Sequence, residues 1–290
     1  MSGPPSLVLE GDELEVVLLP DLGARIHRIR AFGVDLLRTP EDVHAHAADP
    51  FFWGGYAMAP WCNRASPGPM EVAGRVVDLA PNFPDGSAIH GQVYAYPWTP
   101  VGDGSLTVTG GADGWPWAYE VRVHPTVEGP SFRMRFALTN RSDAPMPAGL
   151  GWHPWFVRPL EVAVPAARAY RSNTGSTPEP EPVDATPFDL RAGAPVAGGL
   201  DATWSSPRPG RVALRWPRDR VEAKLDVETD GSPCVAVATP SEPDATAVEP
   251  QTHGPDGVRR LVNGEPDALA LLAPGETLAL EVRLTVRRLD

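Results

Sequence analysis

Apolar and polar residues alternate with a period of two along much of this chain. In Leu278-Ala-Leu-Glu-Val-Arg-Leu-Thr-Val286, one face carries Leu278, Leu280, Val282, Leu284 and Val286. Glu281, Arg283 and Thr285 point the other way. That pattern predicts a strand with one buried face. Tyr119–His124 and Phe132–Leu138 alternate likewise around Glu128-Gly129-Pro130, which predicts a hairpin. Val212–Trp216 with Val221–Val227 reads as another such pair, and so does Leu7–Leu9 with Leu14–Leu19 around Glu10-Gly11-Asp12. Only residues 40–48 suggest a helix, with Pro40 suited to its first turn. Many short strands separated by Gly and Pro turns predict an all-β fold, a large antiparallel β-sandwich. Residues 173–199 are rich in Pro, Gly, Thr and Glu, but strand patterns resume unchanged after them. They read as a long loop on one domain spanning residues 1–290, rather than as a linker between two.

Composition narrows the class of partner. The formal net charge of −12 argues against nucleic acid, which needs concentrated Lys and Arg. No apolar run approaches the ~18–20 residues of a membrane span. The start, Met-Ser-Gly-Pro-Pro-Ser, lacks the basic and apolar regions of a signal peptide, so a cytoplasmic location is expected. Cys62 and Cys234 are too few for a Cys-rich zinc site, although one bridge between them stays open. No G-x-G-x-x-G, P-loop or G-x-S-x-G motif occurs, so dinucleotide, nucleoside triphosphate and serine-hydrolase chemistry lack support. His44-Ala-His46 has two-His spacing without a third ligand, and no metal or cofactor is expected.

Four segments set polar residues among apolar or turn-forming neighbours. In Met58-Ala-Pro-Trp-Cys-Asn-Arg64, Arg64 can fork hydrogen bonds to ligand oxygens or to loop carbonyls. In Ala88-Ile-His-Gly91, the glycine lets a backbone or ligand approach His90, which could equally be a satisfied core histidine. In Gly149-Leu-Gly-Trp-His-Pro-Trp-Phe156, His153 lies between Trp152 and Trp155. Partial desolvation there lowers its pKa and nearby carboxylates raise it, so it is expected to titrate near neutrality. Glu249, in Val248-Glu-Pro-Gln-Thr252, reads as an acid at a strand end pinned by Pro250, a general base or a solvated loop carboxylate. Seven of nine tryptophans (Trp53, Trp61, Trp98, Trp115, Trp117, Trp152 and Trp155) fall in Pro- or Gly-rich segments. Their faces and N–H groups suit sugars, or they cap the ends of the sandwich.

Taken in order, Asn63-Arg64, His90-Gly91, His153 followed by Trp155-Phe156, and the late Glu249 resemble the aldose 1-epimerases, the galactose mutarotase family. The turn Leu272-Ala-Pro-Gly-Glu276 extends the likeness to the last strand. The resemblance implies a galactose mutarotase-like supersandwich with a sugar cleft on one sheet, as a monomer or homodimer. It implies Glu249 as base, His153 as acid, His90 assisting, and Asn63 and Arg64 among the sugar-binding residues, to which the aromatic chemistry of the segment adds Trp152 and Trp155. The family's sugar-binding Asp falls loosely on Asp201 in Gly199-Leu-Asp-Ala-Thr-Trp204, where Trp204 replaces the usual Phe. Galactose-specific members resemble Asn-His-Ser-Tyr-Phe where this chain has Trp-His-Pro-Trp-Phe, which leaves the sugar open.

Mutarotation takes a proton from the C1 hydroxyl and gives one to the ring oxygen, so it needs a base and an acid. They are expected on opposite sides of the anomeric centre, with His153 starting as imidazolium. Two alternatives share the residues. A hexose-6-phosphate 1-epimerase would require Arg64, Arg158, Arg168 or Arg171 to converge on a phosphate, and a sugar-binding module would require no catalysis.

Overall fold

In the computed structural model, residues 5–172, 179–184, 187–196, 198–206 and 212–290 are described, and the period-two segments are strands. Two large antiparallel sheets carry the fold. The first has its strands in the order Leu7–Glu10, Leu14–Leu19, Arg25–Ala31, Gly55–Met58, Gly151–Val157, Ala245–Gln251, Cys234–Ala238, Asp201–Ser205, Arg168–Tyr170 and Glu181–Pro182. The second is centred on Tyr119–Glu128, Ser131–Asn140, Thr277–Arg288 and Val221–Thr229. All three hairpins expected from the alternation are present. The turn between Glu128 and Ser131 places Gly129 at a φ of 55°, which glycine adopts without a Cβ clash.

The alternation decides what each face meets. Leu278, Leu280, Val282, Leu284 and Val286 are buried together with Phe132, Met134, Phe136 and Leu138 from the neighbouring strand. The first sheet answers with Trp152 and Phe156, whose rings meet Phe132 and Trp216 edge to face. One core cluster contains residues of both sheets. Most of the tryptophans belong to it. Trp98, Trp115, Trp117, Trp152, Trp204 and Trp216 are fully buried, so core packing accounts for them rather than sugar binding.

Three local expectations are corrected. The helix at 40–48 shrinks to Ala45–Ala48 and leaves Pro40 outside it. His46 there is buried and meets His27 (Nδ1 to Nε2, 3.0 Å), while His44 is exposed, so the two-His clip does not form. A second helix, Gly257–Asn263, escaped the pattern because it spans seven residues, begins on glycine and lacks a side-chain cap. It stops where Gly264 turns left-handed (φ 67°) and its N–H reaches the carbonyls of Arg260 and Leu261. In the 173–199 segment, Glu181–Pro182 joins the first sheet and Ala194–Pro195 joins the second, which ties it to the sandwich. Residues 173–178, 185–186 and 197 lie outside the described residues. Cys62 and Cys234 are buried free thiols. No helix of the described residues is long and apolar enough to cross a membrane.

Candidate active site

Sheet register brings together residues far apart in sequence. Gly151–Val157 pairs Gly151 with Gln251 and Trp155 with Ala247, which leaves His153 opposite Glu249. On its other side, His153 pairs with Tyr56. Side chains two apart share a face, so His153 and Trp155 point away from the sandwich core while Trp152 points into it. Trp152, expected among the sugar-binding residues, is instead placed in the core, buried against Phe132 and Phe156. His153 Nε2 lies 3.2 Å from Glu249 Oε1, and Gln251 donates to Glu249 Oε2 at 3.1 Å. The Tyr56 ring stacks on the imidazole at 4.6 Å and 17°. Glu249 does not end its strand, since Pro250 and Gln251 continue it.

A loop pair closes one side of this row. Arg64–Ala65 and Ala88–Ile89 form a short ladder. Asn63 (φ 56°) and His90 (φ 63°) both take left-handed backbone, costly for side-chain-bearing residues and often found at functional sites. The two are bonded reciprocally: Asn63 N–H donates to His90 Nδ1 (3.2 Å), and His90 N–H donates to the Asn63 carbonyl (3.1 Å). His253 braces the same loop. Its Nδ1 proton goes to the Gly254 carbonyl at 2.6 Å, so its Nε2 accepts the Cys62 N–H at 2.9 Å. Burial pushes His253 down to about 4, which keeps it neutral in that role. Arg64 lies between Asp85 (2.7 Å) and Asp201 (3.3 Å), which aims its guanidinium across the cleft.

These elements enclose a concave cleft that opens to solvent. Phe51, Phe52, Phe83 and Trp155 form aromatic walls, and Asn63, Arg64, His90, His153, Asp201 and Glu249 supply polar groups. Of the residues expected at the site, Trp152 alone is absent from this lining. Trp155 offers its ring and not its N–H, which donates to the Phe51 carbonyl. The family model described as Aldose 1-epimerase matches residues 5–285. The chain belongs to the aldose 1-epimerase family.

Relatives agree in fold and extent. The chain is 27% identical over 255 residues to the uncharacterized protein YphB of Escherichia coli (strain K12), covering 80% of this chain and 83% of that one. A galactose mutarotase-like protein from Clostridium acetobutylicum superposes with a TM-score of 0.84 at 14% identity, covering 98% and 95% of the two chains. A GalM/aldose epimerase homologue from C. elegans gives 0.81 at 16% identity, covering 99% and 100%.

In this family member, burial dominates the electrostatics of the pair. Glu249 is 3% and His153 4% exposed. Loss of water raises Glu249 to about 8, with Asp201 adding to the rise while Arg64 and Gln251 oppose it. Loss of water lowers His153 to about 3, so the resting imidazole is neutral instead of titrating near pH 7. His90 is also pushed well below 6.5, first by burial and then by His153 and Arg64.

The ligating atoms of His90, His153 and Glu249 lie within 4.8 Å of one another, a spacing that could hold a metal. The hydrogen bonding does not suit one. A neutral His90 whose Nδ1 accepts an amide proton must carry its own proton on Nε2, leaving no lone pair there for an ion. That tautomer makes His90 a fixed hydrogen-bond donor.

Sequence reading missed Tyr56, Asp85, Gln251, His253 and the three phenylalanines. Only Gln251, two residues from Glu249 on the same strand face, carried a usable signal.

Proposed function

We propose that this chain interconverts the α and β anomers of a free, uncharged aldose by acid–base ring opening. The His153–Glu249 contact at the base of an aromatic-walled cleft carries the reading. O1 and O5 of a pyranose are bonded to the same carbon, so the groups serving them must be neighbours. The contact at 3.2 Å replaces the expectation of an acid and a base on opposite sides of the anomeric centre.

Moving the shared proton from Glu249 to His153 creates a carboxylate and an imidazolium with no change in total charge. Glu249 takes the C1 hydroxyl proton, His153 gives its proton to O5, and the C1–O5 bond breaks. Rotation about C1–C2 then presents the other face of the aldehyde, and the reverse transfers close the ring. His90 donates to a sugar oxygen, while Asn63, Arg64 and Asp201 hold hydroxyls and Trp155 packs on a C–H face.

A free sugar is favoured over a phosphorylated one by the surrounding charge. Among the described residues lining the cleft, Arg64 is the one cationic side chain, and two carboxylates already engage it. Arg158 is near Asp244, Arg168 near Glu179, and Arg171 near Glu181 and Asp184. None of the three lines this cleft.

Polarimetry on freshly dissolved α-D-glucose and α-D-galactose, with a coupled assay on glucose 6-phosphate, tests the proposal. Faster equilibration of at least one free aldose is expected. Acceleration of the phosphate ester alone would transfer the protein to the hexose-phosphate reaction, and binding without acceleration would make it a sugar-binding module. The pH profile is a second check. The pair holds one proton between about 3 and about 8. Above that range the acid is gone, so kcat/KM should fall about tenfold per pH unit above about 8. A profile that keeps rising through pH 9 would remove the shared-proton mechanism.

A further inference from the structure

The aromatic wall of the cleft rests on a segment with almost no backbone pairing of its own, and side chains supply the bonds instead. Four consecutive carbonyls are each taken by a side-chain donor. Arg25 donates to Pro50 (2.7 Å) and to Trp53 (3.0 Å). Trp155 Nε1 donates to Phe51 (2.5 Å), and Arg38 donates to Phe52. The Arg38 guanidinium also lies 3.4 Å over the Trp53 ring. Phe51 and Phe52 thereby face the cleft, with Phe52 5.5 Å from the Trp155 ring.

Arg25 is the unusual member of this set. It is 1% exposed, and among the described residues it forms no ion pair. Burying a guanidinium with no carboxylate in contact is costly, and burial lowers its pKa to about 10 while Tyr56 and the more distant Asp49 oppose the drop. Its fork spans the first and last of the four carbonyls, and its charge lies 4.9 Å from the Tyr56 ring that stacks on His153. A strand position next to the core could hold an apolar residue at lower cost.

We propose that Arg25 is a positioning residue, whose fork sets the Phe51–Phe52 wall against which the substrate packs. The inference rests on the sugar-epimerase reading of the cleft for its kinetic consequence, but not for the clamp itself. The wall contacts the sugar equally in the ground state and the transition state, so its displacement weakens binding more than turnover.

Arg25→Lys separates fork from charge, because an ammonium keeps the charge but cannot hold the planar two-point contact. Losing the contact is expected to raise KM about tenfold with kcat changed less than about threefold. Arg38→Lys, at a half-buried site, removes the Phe52 bond and should act in the same direction if Arg25→Lys does not fold. Combining Arg25→Lys with Phe52→Ala should give a KM rise smaller than the product of the two separate rises, because both act through the same wall. Wild-type KM in folded Arg25→Lys and Arg38→Lys, a loss confined to kcat, or full additivity with Phe52→Ala would each overturn the proposal. Amide exchange of Gly54, whose N–H is bonded to the Arg38 carbonyl at 2.9 Å beside the clamped carbonyls, checks the clamp apart from any activity. Faster exchange in Arg25→Lys supports it, and unchanged exchange refutes it even if the wild-type protein epimerises no sugar tested.

Discussion

Replacing Glu249 with glutamine is expected to lower the epimerisation rate by about 10²–10⁴-fold, the range typical of one acid–base role. Glutamine keeps the size of the side chain and can still bond Gln251, but it cannot carry the proton shared with His153. The Glu249 strand should therefore keep its packing. His153→Asn removes the other half of the pair and should lose a similar factor. The proposed mechanism uses the two residues as one proton-sharing unit, so the double variant should be little worse than either single one. Polarimetry or exchange NMR with the spontaneous rate subtracted reads the loss, and sugar-dependent tryptophan fluorescence reads the binding that remains. A Glu249→Gln enzyme at wild-type speed would end the assignment of this pair.

Gly91→Ala is expected to be the most damaging of the simple glycine substitutions near the cleft. Gly91 has φ +73°, and a Cβ there would lie 1.9 Å from the Ala59 oxygen and 2.3 Å from the Ala59 carbonyl carbon. Those neighbours are backbone atoms held by the Gln92 N–H to Ala59 carbonyl bond at 2.7 Å, so neither can turn aside as a side chain could. The cost combines left-handed strain of about 1–2 kcal/mol with a clash that must move the chain, for a total on the order of 3 kcal/mol or more. The shift would also displace His90, so activity should fall with stability. Gly86→Ala is the matched control. It has φ +83° with nothing within 4 Å of its Cβ, so it pays the strain alone. Denaturant unfolding of the two variants side by side separates the terms. If they lost the same stability, the close approach at Ala59 would carry no energetic weight.

Much of the fold was legible in sequence because a strand announces itself locally. The hairpin around Gly129 and the last strand needed only alternation and a turn to be read. The candidate site was legible in part, through unusual residues in unusual settings: His90 before a glycine, His153 between tryptophans, Glu249 between an apolar pair and a proline. Trp152 shows where such reading stops. It stands beside His153 in sequence and resembles any other sugar-binding aromatic, yet the pleat turns it into the core. Tyr56, Asp85 and His253 had no local signature, since each acts on a partner brought close only by the fold.

Sequence by itself determined the all-β class, the main hairpins and the residues able to carry acid–base chemistry, because periodicity and side-chain chemistry are properties of short segments. Tertiary structure alone decided that His153 and Glu249 touch, that burial holds the imidazole neutral and the carboxyl raised, and that four carbonyls bind side chains to hold the aromatic wall. The physical reason is that register, desolvation and hydrogen-bond partnership depend on which distant segments meet, and strand alternation records only which way each side chain faces.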